Sequence, residues 1–268
     1  MIVSCRDNLS GVEVAVHRQT MNRRDERDAY RLLISAYHPD TLRYPAPGPV
    51  TTPADRLRHA LTWNVFKTLE QIAPTLWMRP LIARCGMLAE GYGSAPHVTK
   101  VTCWSKLEPA PSARLRRARR GEVPVDVIID TDDTVIALLT PGPAELQGRV
   151  VSDTVEDGLL DVAEAVAWLA GTRAAYVGVI LPVETDVQFW GPLVQRRAER
   201  VHRVMQSGDR WPANMRGIGV THWQALHELL SEVAESNFIA ESEKRFALTT
   251  VAWTAERLRL DVDRQRLA

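Results

Sequence analysis

The stretch 124–140, PVDVIIDTDDTVIALLT, decides the fold class of this chain. β-Branched residues dominate 125–129 and 134–140, as in buried strands, and the intervening DTDD consists of preferred turn residues. The stretch therefore predicts a buried β-hairpin with Asp126 near the start of its first strand. Because DTDD lacks the glycine and the distal glutamate of a calcium-binding loop, we expect its aspartates to form only the turn.

Upstream of the hairpin, the sequence predicts a linker, two helices and one more strand. Five prolines in 38–53 mark the linker. A helix opens at Thr52 and carries apolar residues at every fourth position, and Pro74 ends or kinks it. Residues 76–91 form a second helical piece, 97–107 alternate as a strand, and 108–123 form a loop.

Downstream of the hairpin, a helix from about Asp153 to Gly171 precedes a short buried strand over 174–182. We expect Trp168 on this helix to lie in the core, beside an apolar stripe of Leu159, Val162, Val166 and Leu169. The remainder is mostly helical, at 190–206, 221–235 and 238–259. The order helix, three strands, helix, strand predicts an α/β fold with a helical C-terminal part.

Composition limits the class of function. The 268-residue chain is 45% hydrophobic and 25% charged, so it can bury a large core, and its formal net charge of zero favours no class of partner. Three widely spaced cysteines predict neither a disulfide framework nor a zinc site. No leader-like or membrane-spanning run occurs, so we expect a cytoplasmic protein with no membrane partner. The motifs HExxH, GxSxG, GxGxxG and the P-loop do not occur.

The element order, with Asp126 opening the hairpin, resembles the core of the PD-(D/E)XK, or restriction endonuclease-like, superfamily. RHALTWNVFKTLEQIAPTLWMRPLI (58–82) looks like the leading helix of its bacterial members, and GTRAAYVGVILP (171–182) follows its later helix and strand. The resemblance implies a nuclease-like α/β core with a mixed sheet over 52–185. An N-terminal extension and Pro-rich linker (1–51) precede this core, and a helical part packed on the core (186–268) follows it.

The resemblance also implies which residues would carry catalysis. In the superfamily, an aspartate and a Glu-x-Lys on the second arm of the hairpin hold Mg²⁺ and activate water. The aspartate corresponds to Asp126, which would be the metal ligand. The Glu-x-Lys corresponds to 138–140 (Leu-Leu-Thr) or, one residue later, to 139–141 (Leu-Thr-Pro). Neither register supplies a carboxylate or a lysine, so we expect a degenerate site and no cofactor.

A migrated active site is the alternative for an active enzyme. Lys67 and Glu70 share one face of the leading helix, and some superfamily members take an acidic residue from that helix. Asp126, Glu70 and Lys67 would then be catalytic, with Mg²⁺ as cofactor, and Glu145 is a further carboxylate after the hairpin. The favoured interpretation of Lys67 and Glu70 is a solvent-facing ion pair, because such pairs are common on helices.

An arginine cluster precedes the hairpin. RLRRARR (114–120) contains five arginines in seven residues, and guanidinium groups suit phosphate, so the cluster predicts contact with a DNA or RNA backbone. A solvated loop is the alternative interpretation. The basic stretch 195–203 is expected to be the solvated face of a helix. The arginines of the cluster are Arg114, Arg116, Arg117, Arg119 and Arg120.

These patterns predict a nuclease-fold protein that has lost catalysis. It would bind nucleic acid or serve as a structural subunit in a bacterial DNA-processing or defence system, a role that rests on the resemblance alone. Two alternatives stay open: an active Mg²⁺-dependent DNA endonuclease with the migrated site, and a protein–protein scaffold without a nucleic-acid role. The expected partners are DNA or RNA, a second copy of the chain, or other protein subunits.

Overall fold

The computed structural model of the chain describes residues 52–87, 99–111, 121–142, 154–183, 187–206 and 213–267. By its contacts the chain divides into two units, Met1–Arg31 and Leu32–Ala268, and every described residue belongs to the second. The described elements are α1 (Pro53–Glu70), α2 (Pro74–Arg84), β1 (Thr99–Leu107), β2 (Val123–Thr131), β3 (Thr134–Leu139), α3 (Thr154–Ala170), β4 (Ala174–Leu181), α4 (Val187–Gln206), β5 (Met215–His222), α5 (Trp223–Glu235) and α6 (Glu241–Leu267).

The strands form one mixed sheet in the order β1-β2-β3-β4-β5. β1, β2 and β3 are antiparallel neighbours, whereas β3, β4 and β5 are parallel. The parallel pairs are joined by crossovers that contain α3 and α4, as parallel pairing requires. The predicted α/β class is confirmed, and so is the order helix, three strands, helix, strand.

Helices cover both faces of the sheet, which explains why its central strands are apolar on both sides. One core cluster contains buried residues of α1, α2, α5 and α6, together with Ile129, Ile136 and Tyr176 of the sheet. The second contains residues of α3 and α4, together with Val135 and Val177. Consecutive residues of β3 thus serve opposite cores, and Thr134 to Leu138 are all buried.

The helix α1 begins where the sequence predicts. Thr52 is its N-cap: the Thr52 hydroxyl accepts a hydrogen bond of 3.1 Å from the backbone N–H of Asp55, and Pro53 follows at the first helical position. The Thr52 hydroxyl also donates to the Asp55 carboxylate over 2.8 Å. This capping fixes the first turn of α1, and with it the position of Asp55.

The C-terminal part contains a strand that the sequence analysis does not predict. β5 lies between α4 and α5 and extends the sheet beyond β4, so this part is not only a helical cover. The strand reads MRGIGVTH, and its two glycines obscure the apolar alternation. The glycines are needed for packing, because a Cβ at Gly219 would lie 1.8 Å from the carbonyl oxygen of Cys85, just after α2.

The expectation that Trp168 lies in the core is wrong. Trp168 is 60% exposed and Leu169 is 41% exposed, although Leu159, Val162 and Val166 are buried as predicted. α3 instead buries small residues such as Ala163, Ala167 and Ala170. Gly171, with φ of 65°, follows the helix in the left-handed conformation typical of a helix stop, as expected.

Candidate functional site

Asp126 lies on β2 and reaches across to the chain that leaves β3. Its Oδ2 accepts a hydrogen bond of 2.6 Å from the backbone N–H of Thr140, the residue after the end of β3. Its Oδ1 lies 3.8 Å from Nη1 of Arg58 on α1. Asp126 therefore faces a backbone amide and a guanidinium group.

Arg58 links three parts of the fold. Its Nη1 donates a hydrogen bond of 2.5 Å to the carbonyl oxygen of Thr140, and its Nη2 lies 3.7 Å from Oδ1 of Asp55. Since Asp55 and Asp126 approach the same guanidinium, the site has two carboxylates around one fixed positive charge. Arg58 is mostly buried, with 19% of its side chain exposed, so its charge is only partly screened by solvent.

His59, the next residue on α1, is neutral at pH 7. The pKa of His59 is lowered to about 4, chiefly by burial and also by the neighbouring Arg58 guanidinium, while Asp55 acts in the opposite direction. His59 Nε2 lies 3.1 Å from Nη2 of Arg58, which can only donate, so Nε2 accepts and Nδ1 carries the proton. His59 Nδ1, Arg58 Nε and Thr140 Oγ1 are buried atoms without a hydrogen-bond partner among the described residues.

The strand β1 is irregular at Trp104, opposite Asp126. Trp104 has a φ of 54°, which is rare for a bulky residue, and it lies opposite Asp126 between the Cys103–Val127 and Ser105–Val125 register pairs. Val127 belongs to the core cluster under α1, but Val125 belongs to the cluster on the other face. The alternation of side chains is thus out of phase across this position, and both Trp104 and Asp126 lie on the α1 side.

Aromatic packing supports the unusual backbone of Trp104. Its ring stacks on that of Trp63 from α1, with 5.8 Å between centroids and an interplanar angle of 4°. The His59 ring meets Trp104 edge-on, with 5.7 Å between centroids. Such ring pairs contribute about 0.5–1.5 kcal/mol beyond buried area, which is comparable to the cost of a strained φ.

Lys67 and Glu70 form an ion pair, but the expectation that this pair faces solvent is wrong. Lys67 is 4% exposed, and its Nζ donates to Oε2 of Glu70 over 2.9 Å. Lys67 Nζ also donates to the carbonyl oxygen of Val101 over 2.6 Å, while Glu70 Oε1 accepts from the N–H of Val101 over 2.7 Å. Because β1 is an edge strand among the described strands, the pair satisfies backbone groups of Val101 that point away from β2.

Cys103 lies within the electrostatic influence of both the ion pair and Asp126. The pKa of its thiol is raised to about 12, chiefly by burial; Lys67 acts to lower it, and Glu70 and Asp126 act to raise it. The thiol is therefore protonated at neutral pH and is a poor nucleophile.

The three residues of the predicted migrated site, Asp126, Lys67 and Glu70, make two separate sets of contacts. Asp126 contacts Arg58 and Thr140, and Arg58 in turn lies near Asp55. None of Arg58, Thr140 and Asp55 was selected from the sequence as a site residue. Lys67 and Glu70 hold the edge of β1. Within the described ranges, no group of three or more His, Cys, Asp or Glu side chains could hold a metal ion. Glu145 and the arginine cluster (Arg114, Arg116, Arg117, Arg119 and Arg120) lie outside the described residues.

The aspartates of the hairpin turn make structural contacts. Arg173, beyond α3, donates to the Asp130 carboxylate and to the carbonyl oxygen of Thr131, the latter over 2.6 Å. The hydroxyl of Thr131 donates to Asp133 over 3.0 Å and accepts from the N–H of Thr134 over 2.9 Å. These hydrogen bonds agree with the prediction that the aspartates of DTDD belong to a hairpin turn.

No protein-family model, curated protein or solved structure matches the chain. Among the helices that the structure describes, none has the length and apolar character needed to cross a membrane.

Proposed function

We propose that this chain is a catalytically inactive protein with a nuclease-like core that binds nucleic acid. The environment of Asp126 is the observation that supports the proposed absence of catalysis. Its carboxylate is held by the amide of Thr140 and the guanidinium of Arg58, and leucines occupy 138 and 139 at the end of β3. A hydrolytic site with Mg²⁺ would need further oxygen ligands at this position, and guanidinium repels a divalent cation.

The order of elements supports the nuclease-like core. Three antiparallel strands, a crossover through α3 and the parallel strand β4 follow α1, as the resemblance to the PD-(D/E)XK superfamily implies. Asp126 occupies the start of the hairpin within this order. These features support common ancestry of the core, while the chemistry at the hairpin differs.

The nucleic-acid part of the proposal rests on the arginine cluster at 114–120. β1 ends at Leu107 and β2 begins at Val123, only three residues before Asp126. The described residues that flank the cluster thus join the sheet at the end that carries Asp126 and Thr140. Five closely spaced guanidinium groups would contact phosphates of a DNA or RNA backbone in a salt-dependent manner.

Binding is tested by fluorescence anisotropy with labelled single-stranded DNA, duplex DNA and RNA at several salt concentrations. We expect affinity to fall as salt rises, with a shallower slope after Arg114, Arg116, Arg117, Arg119 and Arg120 are changed to alanine. Each lost phosphate contact lowers the slope of log K against log salt by about 0.9 on duplex DNA. The matched control changes three exposed arginines of α4, Arg196, Arg200 and Arg203, to alanine and should keep the wild-type slope. Equal slopes in both variants, or no binding at low salt, would refute the proposed binding.

Catalysis is tested separately, by incubating plasmid and oligonucleotide substrates with Mg²⁺ or Mn²⁺. We expect no cleavage by the wild-type protein or by an Asp126→Asn variant. Metal-dependent cleavage that Asp126→Asn abolishes would instead establish the alternative of an active endonuclease.

A further inference from the structure

We draw no further inference here: the strongest candidate, the exposed apolar surface patch of Trp168 and Leu169 at the end of α3, carries no proposal because nothing in the described part of the chain shows what covers it.

Discussion

The buried Lys67–Glu70 pair makes a strong prediction about stability. Changing Lys67 to Met keeps the volume of the side chain but removes the ion pair and the hydrogen bond to the carbonyl oxygen of Val101. The Glu70 carboxylate, with 12% of its side chain exposed, would lose the ammonium group of Lys67, and a carbonyl of the edge strand would lose its Lys67 donor. Breaking a buried pair in this way costs about 3–5 kcal/mol, of which about 1–3 kcal/mol comes from the unsatisfied carbonyl.

Guanidinium chloride unfolding, followed by tryptophan fluorescence, measures this loss. In thermal unfolding it corresponds to a fall of about 6–20 °C in melting temperature for a chain of this size. The double variant Lys67→Met/Glu70→Leu should be less destabilised than the sum of its single variants, because it removes both charges of the ion pair together. The control, Arg84→Met, breaks a pair whose Glu232 side chain is 65% exposed and should cost less than about 1 kcal/mol. If Lys67→Met costs no more than this control, the ion pair does not hold the edge of β1.

Three further predictions follow from other buried groups. The pKa of His59 is about 4 in the folded chain and 6.5 in the unfolded chain, so only the unfolded chain binds a proton at His59 between these pH values. The free energy of unfolding should therefore be greatest above pH 6.5 and fall by roughly 3 kcal/mol toward pH 4. Denaturant midpoints should depend less on pH in His59→Gln, and parallel pH profiles for the variant and the wild type would contradict the lowered pKa. Gly219→Ala should cost about 3 kcal/mol or more in unfolding free energy, because its Cβ would overlap the carbonyl of Cys85. A Cβ at Gly121 would meet no atom of the described residues within 4 Å, its chain neighbours aside, so Gly121→Ala should change the unfolding free energy by less than about 0.5 kcal/mol. Similar values for the two variants would refute the close approach. In a Cys5→Ser variant at pH 8, Cys85 and Cys103 should resist thiol reagents until denaturant unfolds the chain, because burial raises the pKa of each to about 12, and rapid labelling of the native protein would disprove this.

The elements that could be predicted from sequence are those with a local signal. Thr52 and Pro53 mark the start of α1, and the β-branched runs on either side of DTDD mark the two arms of the hairpin. Gly171 marks the end of α3. β5 lacks such a signal, because its glycines serve contact with the segment after α2 rather than the strand itself. The exposure of Trp168 was also beyond local reasoning, because the spacing of apolar residues does not say which side of a helix meets the sheet.

The candidate site was predictable only in part. Asp126 could be selected because it stands at a definite place in the hairpin, and the lack of a Glu-x-Lys follows from residue identity alone. Arg58 could not be selected, because its partner Thr140 is 82 positions away. Lys67 and Glu70 could be paired by their helical spacing, but their burial depends on the edge strand that they contact.

The sequence by itself determined the α/β order of elements and the absence of a carboxylate and a lysine at 138–140, because periodicity, capping and residue identity are local properties. The tertiary structure alone decided what surrounds Asp126. The positive φ of Trp104 accompanies a change in which faces β1 and β2 present to the two cores, and the packing of α1 brings Arg58 to the carboxylate. A carboxylate next to a guanidinium and a carboxylate open to metal have the same local sequence, and they differ only in which distant element packs against them.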